Sequence, residues 1–190
     1  MTYKAIIFDF FDVIHADPFQ AWMNNHGQTR EGPAGRVSED IDHGKIDAQE
    51  FFRRLAEVTS QTVQAVMDEF QQAERLDDAT VALIKKIRQH YKVGLISNAE
   101  SAFIRDLFTR HQLDELFDFV VVSSEVGHIK PSPEIFHIAL EKAGVSPQEA
   151  IFTDDNPKNV AAAQALGIQA VVFKSARQLA TDLRSLGVNA

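Results

Sequence analysis

Short apolar runs without polar alternation recur along the chain. They are rich in Val, Ile and Phe and cover residues 5–8, 93–96, 119–122 and 150–152, with 170–173 as a fifth candidate. Strands covered on both faces have this composition, because neither face meets water. The runs therefore predict buried parallel strands.

Patterns of helical period separate the later runs. Residues 79–89, 101–108 and 133–143 place apolar side chains at intervals of three and four residues. Strand alternating with helix is typical of an α/β fold with a doubly wound, Rossmann-like parallel sheet.

Residues 17–75 interrupt this alternation and contain no convincing strand. Residues 49–58 and 62–73 have amphipathic helical patterns, and residues 29–35 form a polar break that carries Gly and Pro. We therefore predict a core domain from residues 1–16 and 76–190, with residues 17–75 inserted as a small all-helical cap.

Composition narrows the function classes. The formal net charge of -8 disfavours attraction to nucleic acid and to anionic membranes, although a local pocket can still attract an anion. The chain has no cysteine, which excludes disulfides, thiolate catalysis and zinc–thiolate sites. The start MTYKAIIFDF resembles no signal peptide, and no apolar run approaches the ~18 residues of a membrane span. The expectation is a cytoplasmic protein, by default a monomer.

Polar residues follow the carboxyl ends of the predicted strands. Each alone has an ordinary explanation as a turn, a helix cap or a solvated charge. Ligands of open α/β sheets, however, bind outside the carboxyl ends of the strands, and clustered carboxylates are best explained by a bound cation. The candidates are Asp9, Ser97, Asn98, Lys130, Asp154 and Asp155.

In their order along the chain, these residues resemble the four motifs of the haloacid dehalogenase superfamily. The segments are IIFDFFDVI with Asp9, GLISNA with Ser97, GHIKPSPEIF with Lys130, and IFTDDNPKNV with Asp154 and Asp155. HGKIDAQEFFRRL is similar to a segment of the all-helical cap type. The DDNPKN form resembles the branch with glucose-1-phosphate phosphatases and the phosphatase domain of soluble epoxide hydrolases.

The resemblance implies a hydrolase in which Asp9 attacks phosphorus and forms an aspartyl-phosphate that water cleaves. It implies Mg²⁺ held by Asp9, the backbone carbonyl of Phe11 and Asp155, with Asp154 and Asn159 in support. The implied partner is a small phosphorylated metabolite.

The remaining motif residues would contact the phosphate. The resemblance implies that Ser97 and the backbone N–H of Asn98, at a helix start, bind phosphate oxygens. Lys130 would neutralise charge on Asp9 and on the phosphate.

Two adjacent positions depart from the phosphatase pattern. Phe11 replaces an Asp that protonates the leaving oxygen, and Asp12 replaces a Gly. Asp12 is explained by the tolerance of Asp for left-handed backbone. His15 is either a substitute acid or an ordinary residue of the connection to the cap.

This departure leaves two alternatives open. Haloacid dehalogenases also carry an aromatic residue at the position of Phe11 and need no metal, but they usually lack the acidic pair found here as Asp154 and Asp155. The second alternative is a phosphate- or metal-binding pseudoenzyme with little turnover.

Substrate specificity is expected to reside in the cap. Phe19, Trp22 and His26 are candidates because they are near the entrance in chain order, and each is equally explained as part of the packing of the cap.

Overall fold

Five parallel strands form one sheet in the computed structural model, which describes residues 2–190. Their order across the sheet is β3-β2-β1-β4-β5, and every neighbouring pair is parallel. The strands are β1 (Ala5–Phe8), β2 (Lys92–Ser97), β3 (Phe119–Val122), β4 (Ala150–Asp154) and β5 (Gln169–Val172). The doubly wound α/β fold predicted from the sequence is confirmed.

Ten α-helices occur within residues 2–190, together with 3₁₀ turns at Asp114–Leu116 and Pro147–Glu149. The helices are α1 (Pro18–Asn25), α2 (Pro33–Asp42), α3 (Ala48–Thr59), α4 (Val63–Ala73), α5 (Asp78–Ile87), α6 (Ser101–His111), α7 (Ser123–Val126), α8 (Pro133–Ala143), α9 (Pro157–Ala165) and α10 (Ala176–Ser185).

Helices cover both faces of the sheet. Successive side chains of a strand point to opposite faces, so Ile6 and Phe8 of β1 belong to one apolar cluster and Ile7 to another. The first cluster contains side chains of α5, α6 and α10, and the second contains side chains of α8 and α9. Burial on both faces explains why the strands are almost continuously apolar.

Helices α1–α4 enclose a third apolar cluster of their own, which includes Trp22, Leu55, Val66 and Phe70. The chain enters and leaves this four-helix group along two adjacent segments. The N–H of Ala16 donates to the carbonyl of Arg75 at 2.8 Å, and the N–H of Asp77 donates to that of Ile14 at 2.8 Å. The pairing lies close to the boundaries expected for the insertion.

The structure extends several predicted elements and adds others. β4 runs on to Asp154, so that residue ends a strand rather than following one. Helix α2 begins at Pro33, inside the stretch interpreted as a polar break, because proline is well suited to a first helical position. Helices α7, α9 and α10 were also not predicted. No helix in the described part of the chain is both long and apolar enough to cross a bilayer.

Candidate active site

Asp9 lies directly after the central strand, at the carboxyl edge of the sheet. Its N–H donates to the carbonyl of Thr153 on β4 at 2.9 Å, which extends the strand pairing by one residue. Its Oδ1 accepts from the N–H of Phe10 at 2.7 Å, and the residue is only 7% exposed. The carboxylate is therefore fixed in direction and largely shielded from water.

Three carboxylates meet at this edge. Asp9, Asp154 and Asp155 each offer an oxygen atom, and these atoms all lie within 4.8 Å of one another. Asp154 is fully buried, and both of its oxygens accept from Nδ2 of Asn159 at 3.0 Å. Asp155 is exposed towards the cavity described below. The arrangement is a set of hard oxygen donors, which suits Mg²⁺.

Lys130 is buried among these acids. Its Nζ lies 2.5 Å from Oδ1 of Asp9 and 2.8 Å from Oδ2 of Asp154, and it also donates to the carbonyl of Ile96 at 3.1 Å. All three donor positions of the ammonium group are thus engaged. One ammonium group faces three carboxylates, so the cluster favours binding of a further cation.

Asn98 fixes the position of Lys130. Its Oδ1 accepts from the backbone N–H of Lys130 at 2.8 Å, and its Nδ2 donates to the Lys130 carbonyl at 3.0 Å. This two-point contact joins the loop after β2 to the loop before α8. The side chain of Asn98 therefore has a structural role, which is separate from the contact to a phosphate oxygen that was expected for its backbone N–H.

Charge and burial shift the ionisation of the cluster. Burial raises the pKa of Asp9 well above its usual range, and Asp154 and Asp155 add to this shift against the opposing effect of Lys130. Burial, followed by the charges of Asp154 and Asp12, raises the pKa of Asp155 to about 6. Burial alone would lower the pKa of Lys130, but Asp9 and Asp154 outweigh it and raise that pKa. A divalent cation bound at this cluster would offset the repulsion among the three carboxylates.

Ser97 ends β2 and is fully buried. Its Oγ has no hydrogen-bond partner among the described residues, which leaves it able to donate to a ligand oxygen. Helix α6 begins at Ser101, where the pattern of residues 101–108 predicted it, so Asn98 lies three residues before the helix. The carboxylate of Glu100 accepts from the N–H groups of Ala102 and Phe103. The N-terminus of that helix is thus capped by the chain itself.

Phe11 and Asp12, which depart from the phosphatase pattern, and the nearby His15 lie in different environments. The Phe11 ring is half-buried and stacks on Phe103, with 6.2 Å between the ring centroids. Asp12 has a φ of +56°, as the sequence suggested, and its Oδ1 accepts from the N–H of Asp17 at 3.0 Å. His15 is 1% exposed and does not line the cavity that contains Asp9.

A cavity of about 700 Å³ lies between the carboxylate cluster and the four-helix group. This volume is in the range of small-molecule sites. Of the three candidates for specificity, Phe19 lines the cavity. Trp22 belongs to the packing of the helices, and Nε2 of His26 pairs with Glu69 at 2.8 Å, outside the cavity lining.

The helical wall of the cavity carries a polar group that sequence reasoning missed. Arg30 contacts Oδ2 of Asp17 at 3.1 Å and Oγ of Ser38 at 3.3 Å, and its guanidinium lies 5.0 Å from the centroid of the Phe19 ring. Asp42 lines the same wall, and burial raises its pKa to about 7 against the opposing charge of Arg30. No spacing in the sequence signals this group, because its members come from separate turns and helices.

Residues 6–173 match the family model described as haloacid dehalogenase-like hydrolase. The match covers most of the chain, and the parallel sheet agrees with it. This protein is a member of the haloacid dehalogenase-like hydrolase family.

Two proteins that are similar to this chain are enzymes. It is 27% identical over 145 residues to a D-ribitol-5-phosphate phosphatase of Bacteroides thetaiotaomicron, a match that covers 70% of this chain and 69% of the relative. It is 36% identical over 88 residues to a pyrophosphatase of Bacillus cereus, which covers 46% of this chain but only 40% of that protein.

A solved structure shares the fold. It is a haloacid dehalogenase family enzyme of Bacteroides thetaiotaomicron in complex with magnesium and inorganic phosphate. The TM-score is 0.72 at 23% identity, with 91% of this chain and 95% of that chain covered.

Proposed function

We propose that the protein is a Mg²⁺-dependent phosphatase that hydrolyses a small phosphorylated metabolite through an aspartyl-phosphate on Asp9. The observation that carries the proposal is the geometry of the carboxylate cluster. Oxygens of Asp9, Asp154 and Asp155 lie within 4.8 Å of one another, and Lys130 contacts two of these acids. The phosphatases named among the relatives support it.

The proposed metal ligands are Asp9, Asp155 and the backbone carbonyl of Phe11. Asp154 is held in place by hydrogen bonds from Asn159 and Lys130, so it is proposed to support the site. When bound, Mg²⁺ neutralises charge between the anionic nucleophile and the anionic phosphate. The four-helix group of residues 17–75 is proposed to be a cap, because it closes the cavity on the side opposite these ligands.

In the proposed reaction, an oxygen of Asp9 forms a bond to phosphorus as the bond between phosphorus and the leaving oxygen breaks. Water then attacks the phosphorus of the aspartyl-phosphate, which releases phosphate and restores the carboxylate. Lys130 stabilises the negative charge on the transferred group, and the unpartnered Oγ of Ser97 donates to one of its oxygens. Asn98 holds the Lys130 backbone in place during both steps.

The leaving group is proposed to depart with little help from a proton donor. The Phe11 ring cannot transfer a proton, and His15 lies outside the cavity. Asp12 does line the cavity, and its carboxylate is already bonded to the Asp17 backbone. Substrates whose leaving oxygen is weakly basic, such as sugar 1-phosphates, are therefore favoured.

The cavity wall further suggests a leaving group with several hydroxyls. Arg30, Ser38 and Asp42 offer donors and acceptors, whereas Phe51 and Phe52 offer apolar faces. Arg30 is already paired with Asp17, so it has little net charge left for a second anionic group. A neutral sugar or polyol fits this mixture better than a second phosphate or a carboxylate.

A substrate panel tests the proposal. Glucose 1-phosphate, ribitol 5-phosphate, glycerol 3-phosphate and pyrophosphate are assayed for phosphate release with and without Mg²⁺, and 2-chloropropionate is assayed for chloride release. We expect Mg²⁺-dependent phosphate release that Asp9→Asn abolishes. Asp68→Asn, the same substitution at an exposed site on α4, should leave it unchanged.

Two results would contradict the proposal. Chloride release without metal, in the absence of phosphatase activity, would identify a dehalogenase. Mg²⁺ binding without turnover of any compound in a broad panel of phosphate esters would identify a pseudoenzyme.

A further inference from the structure

A second cluster of metal-ligating residues lies away from the cavity. His15 follows β1 on the segment that leads into the four-helix group, Glu74 directly follows α4 on the segment that leads out, and His111 ends α6. A nitrogen of each histidine and a carboxylate oxygen of Glu74 lie within 4.8 Å of one another. The residues are 59 and 37 positions apart along the chain, so only the fold brings them together.

His15 is oriented as a metal ligand is. Its Nδ1 lies 2.7 Å from the carbonyl of Ala16, and a carbonyl accepts only, so Nδ1 carries the proton. Nε2 then presents a lone pair, and this buried atom has no partner among the described residues. A backbone carbonyl on the second ring nitrogen is the usual support of a metal-bound histidine.

The other two residues complete the set. Nε2 of His111 is also buried without a hydrogen-bond partner in residues 2–190. The Glu74 carboxylate is held by Arg110, whose Nη2 donates to Oε1 at 3.0 Å and whose Nη1 pairs with Oε2. Each carboxylate oxygen has a second lone pair, so this contact orients Glu74 and leaves it able to bind a cation.

We propose that His15, Glu74 and His111 form a site for a borderline transition-metal ion, with Zn²⁺ as the expected occupant. Two imidazoles and one carboxylate hold Zn²⁺ in proteins, with water in the remaining position. Bonds of about 2.0–2.2 Å are reached from the observed spacing by small side-chain movements. The site differs in kind from the all-oxygen cluster around Asp9, which suits Mg²⁺.

The bound ion would link three parts of the molecule. It would tie both connections of the four-helix group to α6, at the place where Ala16 and Arg75 pair through their backbones. It would therefore restrain the movement of that group over the cavity. The inference does not depend on the proposed phosphatase activity.

The test is a calorimetric titration of the full chain with Zn²⁺ in excess Mg²⁺. We expect one Zn²⁺ per chain in the wild type. His111→Gln and Glu74→Gln should weaken binding by more than the about 10–100-fold that outer-shell changes typically cause. His137→Gln, the same substitution at an exposed histidine on α8, should bind as the wild type does, and so should Asp155→Asn.

Absence of Zn²⁺ binding in the wild type would overturn the proposal, as would wild-type affinity in both His111→Gln and Glu74→Gln. Ring ¹⁵N shifts of the wild type give a readout that does not depend on folding of the variants. Zn²⁺ should move the Nε2 resonances of His15 and His111. Unchanged resonances on saturation with Zn²⁺ would also overturn it.

Discussion

Phe11 is the residue that most constrains the proposed chemistry. Its ring lines the cavity where phosphatases of this family place a proton donor, so expulsion of the leaving group should limit the rate. Phe11→Asp should therefore accelerate hydrolysis of alkyl phosphates, by up to about 10²-fold, since positioned acid catalysis contributes about 10²–10⁴-fold. The rate on p-nitrophenyl phosphate should change least. Steady-state kinetics with both substrates measures the contrast.

Phe11→Leu is the matched control, because it removes the stacking on Phe103 without adding an acid. Equal acceleration by Leu and Asp would attribute the effect to space rather than to proton transfer. Equal wild-type rates on alkyl and aryl phosphates would show that another group is the acid, and Asp12 would be tested first.

A substitution at Asp155 should weaken metal binding without lowering the stability of the fold. Asp155→Asn should weaken Mg²⁺ binding by more than about 100-fold, because it removes a direct ligand rather than an outer one. The metal-free variant should be at least as stable as the wild type, because one of three crowded negative charges is gone. Calorimetry with Mg²⁺ and denaturant unfolding in a chelator measure the two effects. Unchanged Mg²⁺ affinity would contradict the ligand assignment.

The raised pKa of Asp42 predicts that the stability of the protein depends on pH. Its pKa is raised in the folded protein to about 7, so the folded state binds the proton more tightly than the unfolded chain. The cost of ionising Asp42 is absent below its unfolded pKa and grows as pH rises towards 7. Asp42→Asn should therefore stabilise the protein more at pH 8 than at pH 5, by on the order of 1–2 kcal/mol.

Denaturant unfolding of the wild type and Asp42→Asn at both pH values measures this difference. Arg30, Asp17 and Lys130, which also act on Asp42, are retained in both proteins, so their shared titration largely cancels. Asp68→Asn is the exposed control. A stability difference that does not vary with pH would contradict the shift.

At the scale of elements, the start of α2 sets the polar wall of the cavity. A Cβ on Gly35 would lie 1.8 Å from the carbonyl oxygen of Arg30, so the helix packs directly on the Arg30 backbone. Gly35→Ala should destabilise the protein by about 1–3 kcal/mol, the usual cost of overpacking, and should raise the KM of the substrate. Unfolding and steady-state kinetics measure the two.

Gly32→Ala provides the matched control three residues earlier. Its Cβ would meet the nearest atom, the Thr29 carbonyl oxygen, at 3.3 Å, which needs only a small adjustment. Equal effects of the two substitutions would show that close packing on Arg30 is not the cause.

The central elements could be predicted because each carries its own local signal. The strands are uninterrupted apolar runs, and the chemistry-bearing acids Asp9, Asp154 and Asp155 stand at their ends. Helices α2 and α9 escaped prediction for local reasons as well. The former begins inside a stretch with the composition of a break. The latter, PKNVAAAQA, has only Val160 and the small Ala163 as buried apolar residues, so its helical period is weak.

The rest of the site depends on contacts between distant segments. Arg30 contacts Asp17 and Ser38 across separate elements, and His15 lies close to His111 although 96 residues separate them in the sequence. The two-point bond of Asn98 to Lys130 likewise spans 32 residues. Such pairs leave no periodic or spacing signal in a single sequence, which is why sequence reasoning named the motif residues but not the contacts that position them.

At the scale of the whole molecule, the sheet supplies a fixed edge and the four-helix group supplies the opposite wall. The edge holds Asp9, Lys130 and the acidic pair through strand pairing and buried ion contacts. The wall holds a mixture of aromatic and polar side chains on helices with a separate apolar cluster. This division is consistent with chemistry fixed by the sheet and selectivity set by the helices.

Asp9 is proposed to carry the phosphoryl group during turnover. Rapid acid quench of the enzyme with Mg²⁺ and its best substrate from the panel, followed by peptide mass spectrometry, measures this directly. We expect one phosphoryl group on the peptide that contains Asp9, formed within a single turnover and absent in Asp9→Asn. Continued phosphate release with no phosphoryl group on Asp9, or with the group on another residue, would contradict it.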